Sequence, residues 1–497
     1  MYARRMRGLK RWMKWQGIEY SDALLFSIDN EEMAAQPLSI SVKTLCDLKD
    51  GDIVATIPKQ SCLTVKTSAA NHLIEEAQLG GYLALAVALM YEKSLGPQSK
   101  WFQYLQMLPP FEPIPLLWSL PEIDSLLSGT EIHKTVKEDK ALVYQDWKEC
   151  IKPLLGSDSF ELNADFFTVD EYFAAKSLIA SRSFQIDDYH GTGMVPLADL
   201  FNHKTAAEDV HFTSVSFSSE SDSDTEYGKR DADDENDEPR ASDSHSQTEG
   251  SGGSELELSS SSGTGLKFME MIIVKDVKAG AEVFNTYGYV GNAALLHRYG
   301  FTEPDNPFDI LNIDLDMVVQ WSLSLFSCRH CRRRLSLWRK LDYLGCVSQD
   351  SEYFEISLNG EPQMELLVLL YIMLLPEDNY NELDLALSSI GEVKETPNLR
   401  LLRKKNFLST EELEISKKLL LTRSVRQALF SLADGRESLY GPNTLEDDIR
   451  SFNDLCHATA SKLYHSLMLR ISERRIIGKL RSFAASVATV HWMRFSK

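Results

Sequence analysis

The chain has no long apolar run. Of its 497 residues, the longest uninterrupted apolar stretch is Leu366 to Leu375, about half of the roughly 20 residues that a membrane-spanning helix requires. That stretch reads as a buried helix, and the chain as a soluble globular protein with no membrane partner. The N-terminus, Met1-Tyr-Ala-Arg-Arg-Met-Arg-Gly-Leu-Lys10, is basic but lacks the apolar core of a signal peptide. A first helix is expected to begin almost at once, which leaves little room for a transit sequence and disfavours an organelle. The seven cysteines form an odd set without regular spacing, which argues for reduced thiols in the nucleus or cytoplasm rather than a disulfide framework. Cys328-Arg-His-Cys331 alone has metal-ligand spacing. A structural zinc site normally needs four ligands, and Cys346 is the one further candidate nearby, so no metal is expected. The pair reads instead as two half-buried thiols on a basic helix.

Apolar residues make up 43% of the chain, enough for a sizeable core in each of the two or more domains that this length suggests. The net charge is −21, but residues Ser219 to Ser262 hold 14 acidic and 3 basic residues and so about half of it. That segment is rich in Ser, Asp, Glu and Gly and poor in large apolar residues. It cannot bury enough surface to offset its ordering entropy and is expected to be a disordered loop from about residue 216 to 263. Val210-His-Phe-Thr-Ser-Val215 before it and Leu266-Lys-Phe-Met-Glu-Met-Ile-Ile-Val274 after it have strand character and are expected to pair, so the loop interrupts a domain.

The first 300 residues mix strands and helices. Asp47-Leu-Lys-Asp-Gly51 and Asp276-Val-Lys-Ala-Gly280 read as hairpin-type turns in which glycine accepts a positive φ. Tyr82 to Tyr91 and Val169 to Phe184 read as helices inserted between β segments. Beyond about residue 305 strand signals fade, and helices are expected over Met317 to Leu344, Met364 to Leu375, Thr410 to Ala433 and Asn443 to Ser472, with a helix start at Ser409-Thr-Glu-Glu412.

Two segments carry polar groups at the ends of β-like runs, where functional sites usually sit. One is Val195-Pro-Leu-Ala-Asp-Leu-Phe-Asn-His203. The other is Glu282-Val-Phe-Asn-Thr-Tyr-Gly288, which leads into Asn292-Ala-Ala-Leu-Leu-His-Arg-Tyr-Gly-Phe301. With Trp12-Met-Lys-Trp-Gln-Gly17, Asp47 to Pro58, Ser99-Lys-Trp-Phe-Gln-Tyr-Leu-Gln-Met-Leu-Pro109 and Arg182-Ser-Phe184 in this order, the chain resembles the SET-domain methyltransferases of the Rubisco large-subunit methyltransferase type. The resemblance implies an α+β fold. A SET domain over residues 1–304, with small curled sheets, a pseudoknot and a helical insert at about 75–185, would be followed by an all-helical substrate-binding domain over 305–497.

The resemblance also implies an S-adenosylmethionine-dependent protein-lysine N-methyltransferase acting on a non-histone protein. Asn202 and His203 would hold the cofactor, with Arg182 and Asp199 near it or near the residues that orient it. Tyr287 would stand beside the transferred methyl group as the catalytic residue, and Tyr299 and Phe301 would line the same region. Asn292 and Gly300 read as caps of the short helix between them. Methyl transfer from a sulfonium to an amine is an in-line displacement, so the protein must align donor and acceptor, exclude water and favour a neutral amine. An aromatic channel with a tyrosine hydroxyl suits those needs.

One departure stands out. The family carries a Gly-x-Gly-type loop near the first strands, and Gln36-Pro-Leu-Ser-Ile-Ser-Val42 has no glycine. Close approach of the backbone around Leu38 to Ile40, or weakened cofactor binding, would follow. Two other readings stay open, a protein-histidine methyltransferase on the same scaffold and a catalytically silent interaction module. The acidic balance suggests a basic protein partner such as a ribosomal protein, with no direct role for nucleic acid. Deleting residues 219–262 is expected to shift the unfolding midpoint by no more than a few degrees in a thermal melt; a larger fall would mean the segment is packed.

Overall fold

The computed structural model describes residues 2–29, 39–156, 162–213, 267–341, 353–388, 416–455 and 461–486. The acidic segment, residues 36–38, Cys346 and the Ser409–Glu412 helix start lie outside them. Helix α1 (Tyr2–Trp15) opens the fold and buries Leu9 and Met13. A four-stranded sheet has the order β1 (Glu19–Tyr20), β4 (Ile53–Pro58), β9 (Phe268–Ile273), β8 (Val210–Thr213), and every pairing in it is antiparallel. Strand β9 shows why it forms: Met269, Met271 and Ile273 are fully buried while Phe268 is exposed, the alternation that the pleat imposes. The predicted pairing across the acidic segment is therefore present, with β8 ending at Thr213. Strands β2 (Leu24–Asp29) and β3 (Ser39–Thr44) form a second sheet. Strands β5 (Leu63–Thr64), β7 (Gly191–Met194) and β6 (Ser183–Asp187), in that order, form a third.

The two Asp-x-Lys-x-Gly turns do not close hairpins. They face each other. Leu48 and Val277 exchange both main-chain hydrogen bonds, at 2.9 and 3.0 Å. Lys49 pairs with Asp276 and Lys278 with Asp47, each at 2.8 Å, and each Asp also accepts a main-chain N–H from the opposite turn. Gly51 and Gly280 take φ of +89° and +83°, so the expectation about glycine holds while that of hairpin turns does not. Each turn links two different sheets, and the reciprocal pairing clips the links together.

The insert consists of α2 (Asn71–Glu76), α3 (Gly81–Ser94), α4 (Phe102–Leu105), α5 (Leu120–Leu126), α6 (Ile132–Asp146) and α7 (Val169–Arg182). Thr168 caps α7 by accepting the Glu171 N–H. The helix stops two residues before the expected Phe184, because Ser183 and Phe184 pair with Met194 and Gly193 in β7. Beyond α8 (Asn292–Tyr299), the chain forms a small antiparallel pair, β10 (Leu311–Asp314) with β11 (Tyr353–Ile356), that the sequence did not signal. The expected 317–344 helix is two, Leu315–Leu325 and Cys328–Lys340, because Ser327 accepts the His330 N–H and starts a new one. Cys328 in it is exposed and Cys331 buried. Thr422 likewise starts Arg423–Ser438 within the expected 410–433 span, and the expected 443–472 helix is Leu445–Asn453 followed by Ser461–Ser486. Helix Met364–Leu374 matches its prediction and buries Leu366 to Leu370. Among the described residues, no helix is long and apolar enough to cross a membrane.

One apolar core spans Met6 to Val283 and a second Leu311 to Ala484, and a small third cluster joins Trp118, Ile123 and Val136 of the insert to Leu296 of α8 and Leu469 of the last helix. Buried ions reinforce this junction. Arg436 donates to the Gly129 carbonyl and pairs with Glu131, and Arg470 donates to the Ser128 carbonyl at 2.9 Å. Gly129 has φ of +80°, and a Cβ there would lie 2.7 Å from the Leu439 and Tyr440 backbone. Gly129→Ala is therefore expected to lower the melting midpoint by several degrees through both strain and clash. A midpoint within a degree of the parent protein would show that the junction yields.

Candidate functional site

The site forms where three stretches distant in sequence meet. Residues 281–287 run between β3 and the 202–210 segment. On one side Val283 donates its N–H to the Val42 carbonyl at 2.7 Å, and Thr44 donates to the Ala281 carbonyl at 2.9 Å. On the other, Asn285 donates to the Asn202 carbonyl at 2.9 Å and Asp209 donates to the Phe284 carbonyl at 2.9 Å. Backbone alone thus brings the Asn202-His203 and Tyr287 motifs together.

The side chains complete the contact. The His203 ring stacks on Tyr287 with centroids 4.9 Å apart, and Tyr287 stacks on Tyr299 at 4.4 Å. Phe301 lies 6.1 Å from His203 and 6.3 Å from Tyr299, closing a four-ring cluster. Tyr287, Tyr299 and Phe301 are each half-buried. The Tyr287 main-chain N–H donates to His203 Nδ1 at 3.0 Å, which leaves Nε2 to carry the proton and face Thr205 Oγ1 at 3.1 Å. Burial pulls the His203 pKa below its ordinary value, against the pull of Glu303. The ring is thus a neutral acceptor. Asn202 points its amide at Glu282 (2.8 Å) and at the Ile40 carbonyl (3.2 Å), which ties β3 to the site within the stretch without glycine.

Arg182 and Asp199 stand behind the rings and engage each other. Arg182 Nε donates to Glu112 at 2.6 Å, and Nη1 donates to the Asp199 carbonyl at 3.1 Å and lies 3.7 Å from its carboxylate. Tyr104 donates its hydroxyl to Asp199 Oδ2 at 2.8 Å, while Oδ1 is buried without a partner. Burial pushes the Asp199 carboxyl up to about 6, against the opposing effects of Arg182 and the Tyr104 hydroxyl. Burial also works against the Arg182 charge, but Glu112 and Asp199 more than offset it and raise its pKa. At neutral pH two carboxylates thus face one guanidinium, and the network favours a cation nearby. Leu197, in the turn that carries Asp199, is fully buried with φ +80° and ψ −49°, a conformation that costs a non-glycine residue about 1–3 kcal/mol. The Tyr287 hydroxyl donates to the Phe201 carbonyl at 3.4 Å. Burial raises its pKa, so it stays protonated.

Asn292 is not the cap of α8. Gly291 is, and Asp309 reaches across to accept the Asn292 N–H at 2.6 Å and its side-chain amide at 2.9 Å. Gly300 ends the helix at φ +78°, as expected. Tyr104, Glu112, Glu303 and Asp309 escaped the sequence reading because each acts through a partner remote in sequence. Among the described residues no three His, Cys, Asp or Glu side chains could jointly hold a metal. A separate groove of about 910 Å³ opens on the insert between Phe111, Trp118, Tyr144 and Phe173 and shares no residue with the ring cluster.

No family model matches the chain. It is similar to the N-lysine methyltransferase setd6 of Xenopus laevis (24% identity over 358 residues, 68% of this chain and 67% of that one) and of Salmo salar (26% over 290 residues, 55% and 53%). It is also similar to ribosomal lysine N-methyltransferase 3 of Saccharomyces cerevisiae (26% over 345 residues, 58% and 61%). The alignments thus span between about half and two thirds of these relatives. Among solved structures, the SET domain of LSMT bound to lysine and AdoHcy matches with a TM-score of 0.63 at 18% identity, covering 97% of this chain and 91% of that one. Rubisco LSMT bound to AdoMet matches with a TM-score of 0.57 at 18% identity, covering 97% and 92%. The fold is therefore that of the LSMT SET domain with its helical continuation.

As pH falls, the neutral His203 ring must take up a proton. Because its pKa is lower folded than unfolded, its contribution to stability is complete above about 6.5 and is lost as pH falls through that value toward the folded one. His203→Gln cannot titrate, so the melting-temperature advantage of the parent over this variant is expected to narrow between pH 7.5 and pH 5.5. A constant gap would remove His203 from that role.

Proposed function

We propose that this chain, a SET-domain protein of the Rubisco large-subunit methyltransferase type, is an S-adenosylmethionine-dependent protein-lysine N-methyltransferase acting on a non-histone protein. The observation that carries this reading is the four-ring cluster that includes Tyr287, backed by a buried network of two carboxyl groups and one guanidinium. The residues suit a sulfonium cofactor: half-open aromatic faces can take its adenine and its positive charge, and the network behind them favours a cation. When bound, the cofactor supplies an electrophilic methyl group. Asn202 and His203 hold it, and Tyr299 and Phe301 wall the channel.

The acceptor lysine must lose its proton, and two influences compete over it. The net negative network favours the ammonium, whereas burial among rings and the adjacent sulfonium favour the free amine. At an effective dielectric constant near 20, unit charges about 4 Å apart interact by about 4 kcal/mol. A sulfonium beside the amine would oppose its protonation by an energy of this order, and Arg182 offsets part of the carboxylate charge. With the cofactor in place the neutral amine would be favoured, and the Tyr287 hydroxyl and nearby carbonyls would orient its lone pair. Residues 305–497 serve as the substrate-docking region. A basic protein such as a ribosomal protein fits the net charge of −21 and the similarity to the yeast ribosomal lysine N-methyltransferase 3. The five described cysteines are all free thiols, in keeping with a nuclear or cytoplasmic protein.

Tyr287→Phe removes only the hydroxyl. Calorimetric affinity for S-adenosylmethionine is expected to stay within about threefold, while kcat falls by about tenfold to a thousandfold or the number of methyl groups added changes. The assay uses radiolabelled S-adenosylmethionine with extracted ribosomal proteins as acceptor. Equal rate and product would remove Tyr287 from its role. A parent protein that binds no S-adenosylmethionine would favour a silent interaction module, a reading that the missing glycine in residues 36–42 supports.

A further inference from the structure

Resting on that reading of the site, we infer that Tyr104 and Glu112, both contributed by the insert, are positioning residues for methyl transfer: they lock the turn whose carbonyl fixes the Tyr287 hydroxyl. Tyr104 is 1% exposed, and its hydroxyl donates to Asp199 Oδ2 at 2.8 Å. Glu112 holds Arg182 at 2.6 Å, and Arg182 in turn donates to the Asp199 carbonyl at 3.1 Å. Two independent arms from the insert thus seize Asp199, one by its carboxylate and one, through Arg182, by its carbonyl. Asp199 lies two residues after Leu197 and two before Phe201. Leu197 is held at φ +80°, a conformation that an isolated leucine would leave. Phe201 supplies the carbonyl that accepts from Tyr287.

The geometry explains why charged and hydroxyl groups are buried where apolar side chains would pack. A strained turn persists only when its surroundings over-determine it, and a carbonyl that must hold a hydroxyl at a set angle gains from such a lock. Glu112 is itself fixed, since its main-chain N–H donates to the Ser177 hydroxyl at 3.0 Å and Ser177 is fully buried in α7. Arg182 ends the same helix, so both halves of the ion pair are referenced to one rigid element. Neither Tyr104 nor Glu112 belongs to the ring cluster, and each acts through Asp199 or Arg182.

The test is a mutant cycle on the full chain, with the same radiolabelled assay and calorimetric binding of S-adenosylmethionine. Tyr104→Phe and Glu112→Gln each preserve shape. Each is expected to lower kcat by about tenfold while KM for S-adenosylmethionine stays within twofold. In a Tyr287→Phe background either change should cost less than threefold more, because the hydroxyl they position is gone. Thermal melts identify a variant that misfolds, and the other variant then carries the test. The inference is overturned if both variants keep kcat within twofold, if their effects are undiminished in the Tyr287→Phe background, or if cofactor affinity falls in step with kcat. Any of those results with an active parent leaves the enzyme reading intact. A parent that binds S-adenosylmethionine yet labels no protein in a whole-cell extract overturns the enzyme reading, and the positioning role falls with it.

Discussion

The structure depends on the main-chain hydrogen bonds that seat residues 281–287 between β3 and the 202–210 segment. The Asn202-His203 motif and Tyr287 are more than eighty residues apart in sequence, and no side chain could hold them together without that backbone frame. Each bond contributes only about 1 kcal/mol net. Their value is geometric, since several in register leave one way for the segment to sit. The paired turns at Leu48 and Val277 clip the same region from outside. Strands β8 and β9 stay paired although residues 214–266 separate them, in keeping with a closure entropy that grows only slowly with loop length.

Given that frame, the site is a contest between apolar rings and buried charge. Burying an ion pair is a poor way to gain stability, because desolvation can exceed the Coulomb attraction. Arg182, Glu112 and Asp199 must therefore be judged by what they hold in place. They grip a turn whose Leu197 backbone is strained, and that turn carries the carbonyl facing Tyr287. The neutral His203 ring, fixed by the Tyr287 N–H, aligns the other side of the tyrosine. Tyr287 is thereby oriented at both its backbone and its hydroxyl.

The ring cluster was legible in the sequence because its members sit in two short contiguous motifs. Tyr104 and Glu112 were not, since a buried tyrosine in an aromatic-rich segment and a glutamate between Phe111 and Pro113 look like core and loop until Asp199 and Arg182 are placed beside them. Asn292 misled for a physical reason: asparagine is a favoured cap, yet Asp309 supplies the oxygen and frees Asn292 to enter the helix. Periodicity found the helices but not their breaks at Ser327 and Thr422. An apolar pattern runs on across a capping residue, and only the cap hydrogen bond reveals the restart. Strands β10 and β11, four residues each, are too short for alternation to register.

The helical region is tied into the site. Thr302, next to Phe301, donates its N–H and its hydroxyl to His465 Nδ1 at 3.1 and 2.9 Å, and burial pulls the His465 pKa down to about 4, which keeps that nitrogen an acceptor. Ser472, two turns further along the same helix, donates to Asp309, which accepts the Asn292 N–H at the start of α8. Both ends of the stretch from Asn292 to Phe301, which carries two of the four rings, are thus held from the helix Ser461–Ser486. Between those two ends, Leu296 of α8 and Leu469 of that helix share one apolar cluster. The proposed docking region and the ring cluster therefore meet on one helix.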